Sequence, residues 1–482
     1  MAFAWMLEHQ TALLWVTEVL WVLTLSVWIV FERRSPAATV AWILALAALP
    51  LVGLLLYFFF GPRRFDRKKL RHAAGQAAAR KAAAHPADSG RDESSHPAAD
   101  LLALCVAAGG PAAIPRWGEL TIFSDGDTLY DAIVEDIGRA EHHVHLEYYI
   151  FEPDAAGGRI RDALMERARA GVAVRLLVDG FGSSAASERF FRPLRDAGAQ
   201  VERFNAVRLR RWRPRLANFR THRKIVVVDG RVAYTGGMNV SDCHSARASG
   251  KDAWRDTHAR VQGRAARGLQ MIFAEDWYYA SGQGPDGAEH FPDPEDLPTG
   301  EHLLQVVASG PDETLDAIHK LNFSAIAAAK QRVWLTTAYF VPGEAIRTAL
   351  VASAMRGVDV RVLLPAKGDV RVVAAAARAG FDELLAAGVR IFEYGPHVLH
   401  AKTLVVDEDV AVVGTANTDP RSYRLNFEVV LACYEASVVA QLAALFETDL
   451  TNAHEVTIAE RAARGRWAEL GENVARLLSP IL

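Results

Sequence analysis

Two long apolar runs stand near the start of the chain. The first covers residues 12–31, and the second covers residues 37–60, which include Pro50 and Gly53. A helix of about 20 apolar residues is long enough to cross a bilayer, and residues 32–36 form a short connection. The pattern predicts a transmembrane helical hairpin over residues 1–62. A cleaved signal peptide is disfavoured, because no charged segment precedes the first run.

A basic segment follows the hairpin. Residues 63–71 contain six Lys or Arg residues, against two in the connection 32–36. Because basic residues are retained on the cytoplasmic side of a membrane, this asymmetry places the rest of the chain in the cytoplasm. Residues 72–100 are rich in Ala, with Gly, Ser and Asp and few large apolar residues, so residues 63–115 are predicted to form a basic flank and a flexible tether.

The remainder of the chain alternates helical and strand patterns. Residues 168–177 (ARAGVAVRLL) resemble residues 354–363 (AMRGVDVRVL), with a glycine between a helical run and a buried strand in each. This alternation predicts the α/β class with a central parallel or mixed sheet. We expect two similar halves, residues 116–290 and 300–482, separated near the Gly- and Pro-rich residues 282–298.

One motif occurs twice with identical spacing. The first copy comprises His222, Lys224, Asp229, Gly236 and Asn239. The second copy comprises His400, Lys402, Asp407, Gly414 and Asn417. Two copies that share every offset make coincidence very unlikely.

In each copy, an apolar stretch typical of a buried strand follows the lysine. Side chains alternate between the two faces of a strand, so the histidine and the lysine share one face. Asp229 and Asp407 have the opposite parity and stand where the chain turns. We therefore expect both aspartates, although members of the candidate catalytic motif, to anchor a turn rather than to act as acids.

A pair of histidines flanked by lysines suits chemistry at phosphorus. A neutral imidazole is a good nucleophile, and a second imidazole can protonate the departing oxygen. Ammonium and amide groups hold the non-bridging oxygens of a phosphodiester, which makes Asn239 and Asn417 candidate phosphate-binding residues. This scheme requires no metal or other cofactor, and no metal-ligand spacing of Cys, His or acidic residues is evident.

The doubled motif resembles the signature of the phospholipase D superfamily, and the chain as a whole is similar to the bacterial cardiolipin synthase family. Further matching segments are residues 33–36 (RRSP), 145–151 (HLEYYIF), 254–258 (WRDTH), 339–342 (YFVP) and 419–428 (DPRSYRLNFE). The resemblance implies two sandwich halves that form a pseudo-dimer around a shared active site. It also implies that Glu428 orients His400, that Asp256 orients the histidine of the first half, and that His222 is the nucleophile. His400 would then act as acid and afterwards as base.

Net charge and cysteine content do not narrow the functional prediction further. The net charge is −3, and three dispersed cysteines suggest no disulfide framework, in keeping with a reducing cytosol. We expect Cys243 to be a packed residue rather than a nucleophile. Basic side chains do cluster before and within the first motif, alongside Trp212 and Phe219. They are Arg208, Arg210, Arg211, Arg213, Arg215, Arg220, Arg223 and Lys224.

Such a cluster could bind nucleic acid or anionic lipid. The membrane hairpin favours lipid, because a tethered enzyme meets phospholipid at high local concentration. The sequence therefore predicts a phosphatidyltransferase of the bacterial inner membrane, with its catalytic halves on the cytoplasmic side. It would make cardiolipin and glycerol from two phosphatidylglycerol molecules through a phosphatidyl-histidine, without nucleic acid as a partner. Alternatives are phosphatidylethanolamine as co-substrate, a hydrolytic phospholipase D, and a non-catalytic lipid-binding scaffold, against which two intact motifs argue.

Overall fold

The computed structural model describes residues 10–31, 36–49, 52–53, 57, 96–205, 218–284, 288–312 and 315–478. The chain divides into two compact units. The first comprises Met1–Arg64 and Arg210–Asn218, and the second comprises Phe65–Leu209 and Phe219–Leu482. The connection at 32–35, the basic flank at 63–71 and most of the predicted tether lie outside the described residues.

The first unit contains two helices, α1 (Gln10–Phe31) and α2 (Pro36–Ala48). Ile29, Leu46 and Tyr57 are buried together, whereas large apolar side chains such as Trp28 and Phe31 are exposed on α1. Within the described parts of the chain, no helix combines the length and the apolar character that crossing a membrane requires.

The second unit begins with a helix where the sequence predicted a tether. Helix α3 (Ala99–Gly109) buries Leu102 and Cys105 in the core of the second half. The prediction of a flexible segment up to residue 115 is therefore wrong at its C-terminal end. The apolar run that begins at Leu101 supplies the buried face that the Ala-rich residues before it lack.

The described residues of the first half form eight strands and five α-helices. Its strands are β1 (Arg116–Phe123), β2 (His143–Tyr148), β3 (Ala173–Asp179), β4 (Gln200–Phe204), β5 (Arg220–Thr221), β6 (Lys224–Val228), β7 (Val232–Gly236) and β8 (His258–Gln262). Its helices are α4 (Gly126–Gly138), α5 (Ala155–Arg169), α6 (Glu188–Asp196), α7 (Ala246–Ser249) and α8 (Ala266–Ser281).

The second half repeats this arrangement. Its strands are β9 (His302–Ser309), β10 (Arg332–Thr336), β11 (Asp359–Pro365), β12 (Arg390–Tyr394), β13 (Thr403–Val406), β14 (Val410–Gly414), β15 (Asn426–Cys433) and β16 (Ala453–Val456). Its helices are α9 (Ala317–Ala328), α10 (Glu344–Met355), α11 (Arg371–Arg378), α12 (Phe381–Ala386), α13 (Pro420–Arg424), α14 (Ala436–Leu450), α15 (Ile458–Ala462) and α16 (Arg466–Leu477).

The strand order shows the internal repeat directly. Outward from the antiparallel pair β1 and β9, the order β1-β8-β7-β6-β2-β3-β4 matches β9-β15-β14-β13-β10-β11-β12, and β16 is added at the second edge. Strands β2, β3 and β4 are parallel, as are β10, β11 and β12, whereas the motif hairpins β6–β7 and β13–β14 are antiparallel. The predictions of an α/β fold, a mixed sheet and two similar halves are confirmed.

Three apolar layers hold the second unit together. One layer packs α4 and α5 on the first half through residues such as Ile133, Ile160 and Leu146. A second packs α9 and α10 on the second half. The third includes α8 and α14 together with strands of both halves, for example Phe273, Phe427 and β13. Because burial of apolar surface is the main favourable term in folding, this shared layer fixes the two halves against each other.

Candidate active site

The two motifs occupy equivalent positions in the two halves. His222 and His400 immediately precede the hairpins β6–β7 and β13–β14, and each following lysine is buried. Lys224 Nζ donates a hydrogen bond to the carbonyl oxygen of His222 over 2.8 Å, and Lys402 Nζ donates to the carbonyl of His400. Each lysine is thus held beside its histidine.

Each histidine is paired with a buried carboxylate from the other half. His222 Nδ1 lies 2.9 Å from Glu428 Oε2, and His400 Nδ1 lies 2.7 Å from Asp256 Oδ2. The predicted pairing of Glu428 with His400, and of Asp256 with the histidine of the first half, is therefore wrong. The two acids do contact the motif histidines, but they are exchanged.

Backbone pairing between the halves explains the exchange. Strand β5 pairs in parallel with β15, and the N–H of His222 donates to the carbonyl of Phe427 over 2.9 Å. On the other side, the N–H of His400 donates to the carbonyl of Arg255 over 2.7 Å. Each motif therefore enters the site alongside the segment that carries the other half's acid.

The sheet register shows that the two acids are equivalent. His258 lies opposite Gly236, as Val430 lies opposite Gly414, and each acid stands two residues before that partner. Asp256 follows its motif at a wider sequence spacing than Glu428 does, because the connection between Asn239 and β8 is longer.

These contacts define the chemistry open to the two imidazoles. When the Nδ1–H of a neutral histidine donates to a carboxylate, Nε2 keeps its lone pair for an attack or a proton transfer. Burial lowers the pKa of His222 to about 4, although the charge of Glu428 acts in the opposite direction. Burial also lowers the pKa of His400, helped by Lys402 and opposed by Asp256. Both histidines are therefore neutral at pH 7 without substrate.

The acids themselves remain charged. Burial alone would raise the pKa of Glu428, but its interactions with His222 and Lys224 and a hydrogen bond from Thr415 outweigh burial and hold that pKa below its usual value. For Asp256, His400 and Lys402 likewise outweigh burial and lower the pKa.

The lysines are close to losing their protons. Burial lowers the pKa of Lys224 to about 7 and that of Lys402 to about 8, although the nearby carboxylates act in the opposite direction. An anionic phosphodiester would favour the charged ammonium, because an opposite charge nearby stabilises it. Before any anion binds, the two lysines are therefore only partly protonated near neutral pH.

The two asparagines differ in their surroundings. Asn239 Oδ1 accepts the N–H of Ile150 over 3.2 Å. Asn417 Oδ1 is buried and has no hydrogen-bond partner among the described residues. A buried polar atom without a partner is costly, and an amide oxygen can only accept, so a donor group of a ligand, such as a hydroxyl, is the natural partner for Asn417 Oδ1.

The two motif aspartates hold backbone rather than substrate. Asp229 accepts the N–H groups of residues 141–143 over 2.8–2.9 Å, and Asp407 accepts those of residues 330–332 over 2.7–2.9 Å. Both have left-handed backbones, with φ of 53° and 50°. Each fixes its hairpin to the start of the neighbouring strand, as a turn anchor does.

Sequence reasoning missed His244, a third imidazole at the site. It lies in a 3-10 turn, Asp242–His244, with its ring 6.0 Å from that of His400. Its Nε2 accepts the N–H of Asn239 over 3.2 Å, as Ser422 Oγ accepts the N–H of Asn417 over 3.1 Å. Each acceptor follows its asparagine by five residues, an offset that aligning the two copies further would have revealed.

Two aromatic residues also border the histidines. The Tyr149 ring is 5.1 Å from that of His222, and the Trp254 ring is 5.4 Å from that of His400. Both belong to segments that carry the family resemblance, 145–151 and 254–258, but no sequence pattern predicted their contacts with the motif histidines.

Two side-chain groups in the described part of the chain have the proximity of metal ligands, although the sequence predicted no metal site. One consists of His244, Asp256 and His400, whose carboxylate and imidazole are already paired. The other consists of His142, His143 and His290. This second group lies at the N-terminal end of β2, whereas the residue that pairs with Lys224 lies at its C-terminal end. Arg175 Nη1 lies 3.4 Å from His290 Nε2. The two-histidine scheme of the motifs requires no metal ion at either group.

The predicted basic cluster divides at residue 218. Residues 206–217 lie outside the described part of the chain. Arg220 is buried with its Nη1 3.6 Å from Asp179, and the buried Arg223 is paired with Asp276. These two arginines are therefore internal ion-pair partners, which corrects their assignment to a cluster that could bind nucleic acid or anionic lipid.

Comparisons with known proteins agree with this geometry. The family model described as "Cardiolipin synthase, PLD-like domain" matches residues 133–277 and 323–450, and "Phospholipase_D-nuclease N-terminal" matches residues 19–62. Cardiolipin synthase 1 of Bacillus anthracis is 37% identical over 481 residues, which cover 96% of this chain and 93% of that protein. Cardiolipin synthase of Geobacillus kaustophilus (strain HTA426) is 37% identical over 467 residues, 96% of this chain and 92% of that protein.

A solved structure shares the fold. Phosphatidylserine synthase of Haemophilus influenzae Rd KW20 superposes with a TM-score of 0.59 at 14% identity, covering 76% of this chain and 97% of that one. At this identity the likeness concerns the arrangement of the halves alone.

Proposed function

Because the chain belongs to the bacterial cardiolipin synthase family of the phospholipase D superfamily, we propose that it is a membrane phosphatidyltransferase. Two phosphatidylglycerol molecules are its substrates, and cardiolipin and glycerol are its products. The observation that carries this proposal is the pair of crossed contacts, His222 with Glu428 and His400 with Asp256. They leave two Nε2 atoms for a two-step transfer.

In the first step, His222 Nε2 attacks the phosphorus of phosphatidylglycerol. A phosphorus–nitrogen bond forms and the bond to the glycerol oxygen breaks, while protonated His400 gives its Nε2 proton to that oxygen. The bound phosphate raises the pKa of His400 from its lowered value, because a nearby anion favours the imidazolium. Lys224, Lys402 and Asn417 bind the non-bridging oxygens.

In the second step, the hydroxyl of another phosphatidylglycerol attacks the phosphatidyl-histidine. His400, now neutral, takes the hydroxyl proton, the phosphorus–nitrogen bond breaks, and cardiolipin leaves with His222 restored. Transfer requires that this hydroxyl reach the intermediate before water does, so a site closed to bulk water favours it. The burial of both histidine–acid pairs supports this condition.

The proposal extends to organisation and location. Residues 1–62 anchor the enzyme as a hairpin in the bacterial inner membrane, and the residues between this hairpin and α3 link it. Residues 116–290 and 300–482 form the catalytic halves on the cytoplasmic side. The match of residues 19–62 to the N-terminal family model supports the anchor, as do the exposed apolar side chains of α1.

The test uses purified full-length enzyme in detergent, with labelled phosphatidylglycerol as the only lipid. Cardiolipin and glycerol in equal amounts are expected. Phosphatidic acid as the main product would replace the proposal with hydrolysis, and activity only after phosphatidylethanolamine is added would change the acceptor. Full activity of a His222→Asn/His400→Asn double variant would contradict any role of the motifs in the transfer, whereas a wild-type protein that binds the lipid and forms no product would leave a lipid-binding scaffold. His454→Asn, at a histidine with 65% of its side chain exposed, is the matched control.

A further inference from the structure

The last described helix carries an apolar stripe that no described residue covers. On α16, Trp467, Leu470, Val474 and Leu477 are 85%, 50%, 53% and 74% exposed, and Leu478 follows at 42%. Their spacing of three or four residues places them on one face of the helix. A contiguous exposed apolar face of this kind marks an interaction surface rather than ordinary protein exterior.

The opposite side of α16 is firmly attached to the second half. Ala475 is buried against Val341, Val373 and Ala376, and Glu472 Oε2 accepts a hydrogen bond from Arg461 Nη2 over 2.7 Å. The stripe is therefore held on a fixed helix instead of a loose end.

A short path of contacts joins this helix to the active site. Val373 and Ala376 belong to α11, which begins two residues after Asp369. Asp369 accepts a hydrogen bond from the Tyr339 hydroxyl over 2.7 Å and is near enough to Lys402 to raise its pKa. Tyr339, Val370 and Val373 line one cleft. Through α11, the helix that carries the stripe is thus connected to the loop at Asp369, which lies near Lys402.

We propose that α16 lies in the headgroup region of a phospholipid bilayer, with the stripe directed toward the acyl chains. This rests on the proposed function, since an enzyme whose substrates are bilayer lipids must bring its site to that surface. The unpaired charges fit an anionic bilayer: Arg466 and Arg476 stand exposed at the two ends of the helix, with no ion pair to a described residue. The two acids of the helix, Glu469 and Glu472, are paired with Arg464 and Arg461. Tryptophan and arginine are well suited to the membrane interface.

The first measurement places a probe on the stripe of the full-length enzyme, reconstituted in phosphatidylglycerol vesicles. A bimane label on Leu470→Cys should be quenched by brominated acyl chains, whereas one on Met355→Cys, 74% exposed on α10 and not part of the stripe, should not. Protein with only its native cysteines, treated identically, gives the background. Absence of quenching at residue 470 would overturn the proposal, whatever the activity of the enzyme.

The second measurement compares activities. Trp467→Ser/Leu470→Ser/Val474→Ser should lower cardiolipin formation in vesicles by about tenfold or more and leave it unchanged in detergent mixed micelles, where lipid is delivered without a bilayer. Leu315→Ser/Phe323→Ser/Met355→Ser is the matched control, since these side chains are also exposed. Equal loss in both systems would overturn the proposal. So would a change from dimer to monomer in sedimentation of the triple variant, because the stripe would then bind a second copy. A wild-type enzyme inactive in both systems would instead refute the proposed function.

Discussion

The two half-sites have the same backbone plan but not the same side chains. At the position after the motif glycine, the first half has Gly237 and the second has Thr415. A Cβ at Gly237 would collide with the carboxylate of Asp256, whereas the Thr415 hydroxyl donates to Glu428. Asp256, the shorter acid, therefore reaches His400 because Gly237 leaves room for its carboxylate. Glu428, the longer acid, is held at His222 by a hydrogen bond from Thr415.

The surroundings of the histidines differ in the same way. Beside His400 stand Trp254 and the third imidazole, His244. Beside His222 stands Tyr149, and the side chains of Thr415 and Asn426 donate to Glu428, whereas Asp256 accepts the backbone N–H of Thr257 over 2.7 Å. We infer that His222, whose partner is held by two further side chains, suits a nucleophile that must keep one orientation, and that His400 suits proton transfer.

The largest effects should separate the two histidines. His222→Asn should reduce transfer to background and abolish the covalent phosphatidyl adduct, because no nucleophile remains. His400→Asn should slow transfer by about 10²–10⁴-fold, the usual loss for a general acid, while still forming the adduct. The measurement is labelled adduct trapped under alkaline denaturing conditions, in which phosphohistidine survives. An acid-labile adduct in His222→Asn would reverse the assignment.

The acids come next. Glu428→Gln and Asp256→Asn should each lower activity by about 10²–10⁴-fold, because an amide cannot hold the same tautomer or stabilise an imidazolium. The crossed pairing is tested in a His400→Asn background by the rate of adduct formation. There Asp256→Asn should cost little more, whereas Glu428→Gln should still cost its full factor. The opposite result would restore pairing within each half.

Substitutions of the two motif asparagines should have smaller effects, which differ because Asn239 Oδ1 accepts a backbone N–H and Asn417 Oδ1 has no described partner. Asn417→Ala should lower kcat/KM by about 10–10²-fold, the equivalent of a hydrogen bond to a charged group. Asn239→Ala should in addition destabilise the fold by about 1–3 kcal/mol, because the N–H of Ile150 loses its acceptor. Urea unfolding and steady-state kinetics of both variants distinguish the two roles. Equal destabilisation would remove the distinction.

The lysines should set the steepest part of the alkaline limb of the pH profile. In the free enzyme, kcat/KM should rise as His222 becomes neutral above about pH 4 and begin to fall as His400, whose pKa burial lowers, loses the proton that it donates. The fall should steepen as Lys224 loses its proton near pH 7, before Lys402 does near pH 8. Lys224→Arg keeps its charge and should move the onset of this steeper part up by about one pH unit, whereas Lys402→Arg should leave the onset in place. An onset that moves only in Lys402→Arg would exchange the two assignments.

Local features of the site could be predicted from sequence, and long-range ones could not. The shared strand face of His222 and Lys224 follows from the period of two, and the turn at Asp407 from its parity and neighbours. The contact of His222 with Glu428 spans 206 residues and depends on the parallel pairing of β5 with β15. Strand β5 has only two residues, which is too short for a sequence pattern to predict its partner strand. The pairing of each histidine with the acid of the other half is therefore visible only in the structure.

The smallest effects on catalysis are expected at the two turn anchors. Asp229→Asn and Asp407→Asn retain a residue type that tolerates a left-handed backbone, but one acceptor oxygen becomes a donor, so part of each set of three hydrogen bonds is lost. Each variant should be destabilised by about 1–3 kcal/mol in urea unfolding, with kcat changed less than about threefold. Asp409→Asn, an exposed aspartate in the same turn as Asp407, should change neither. A kcat lowered by about 10² or more in Asp229→Asn or Asp407→Asn, without loss of stability, would make that aspartate a participant in proton transfer and end the equivalence of the two anchors.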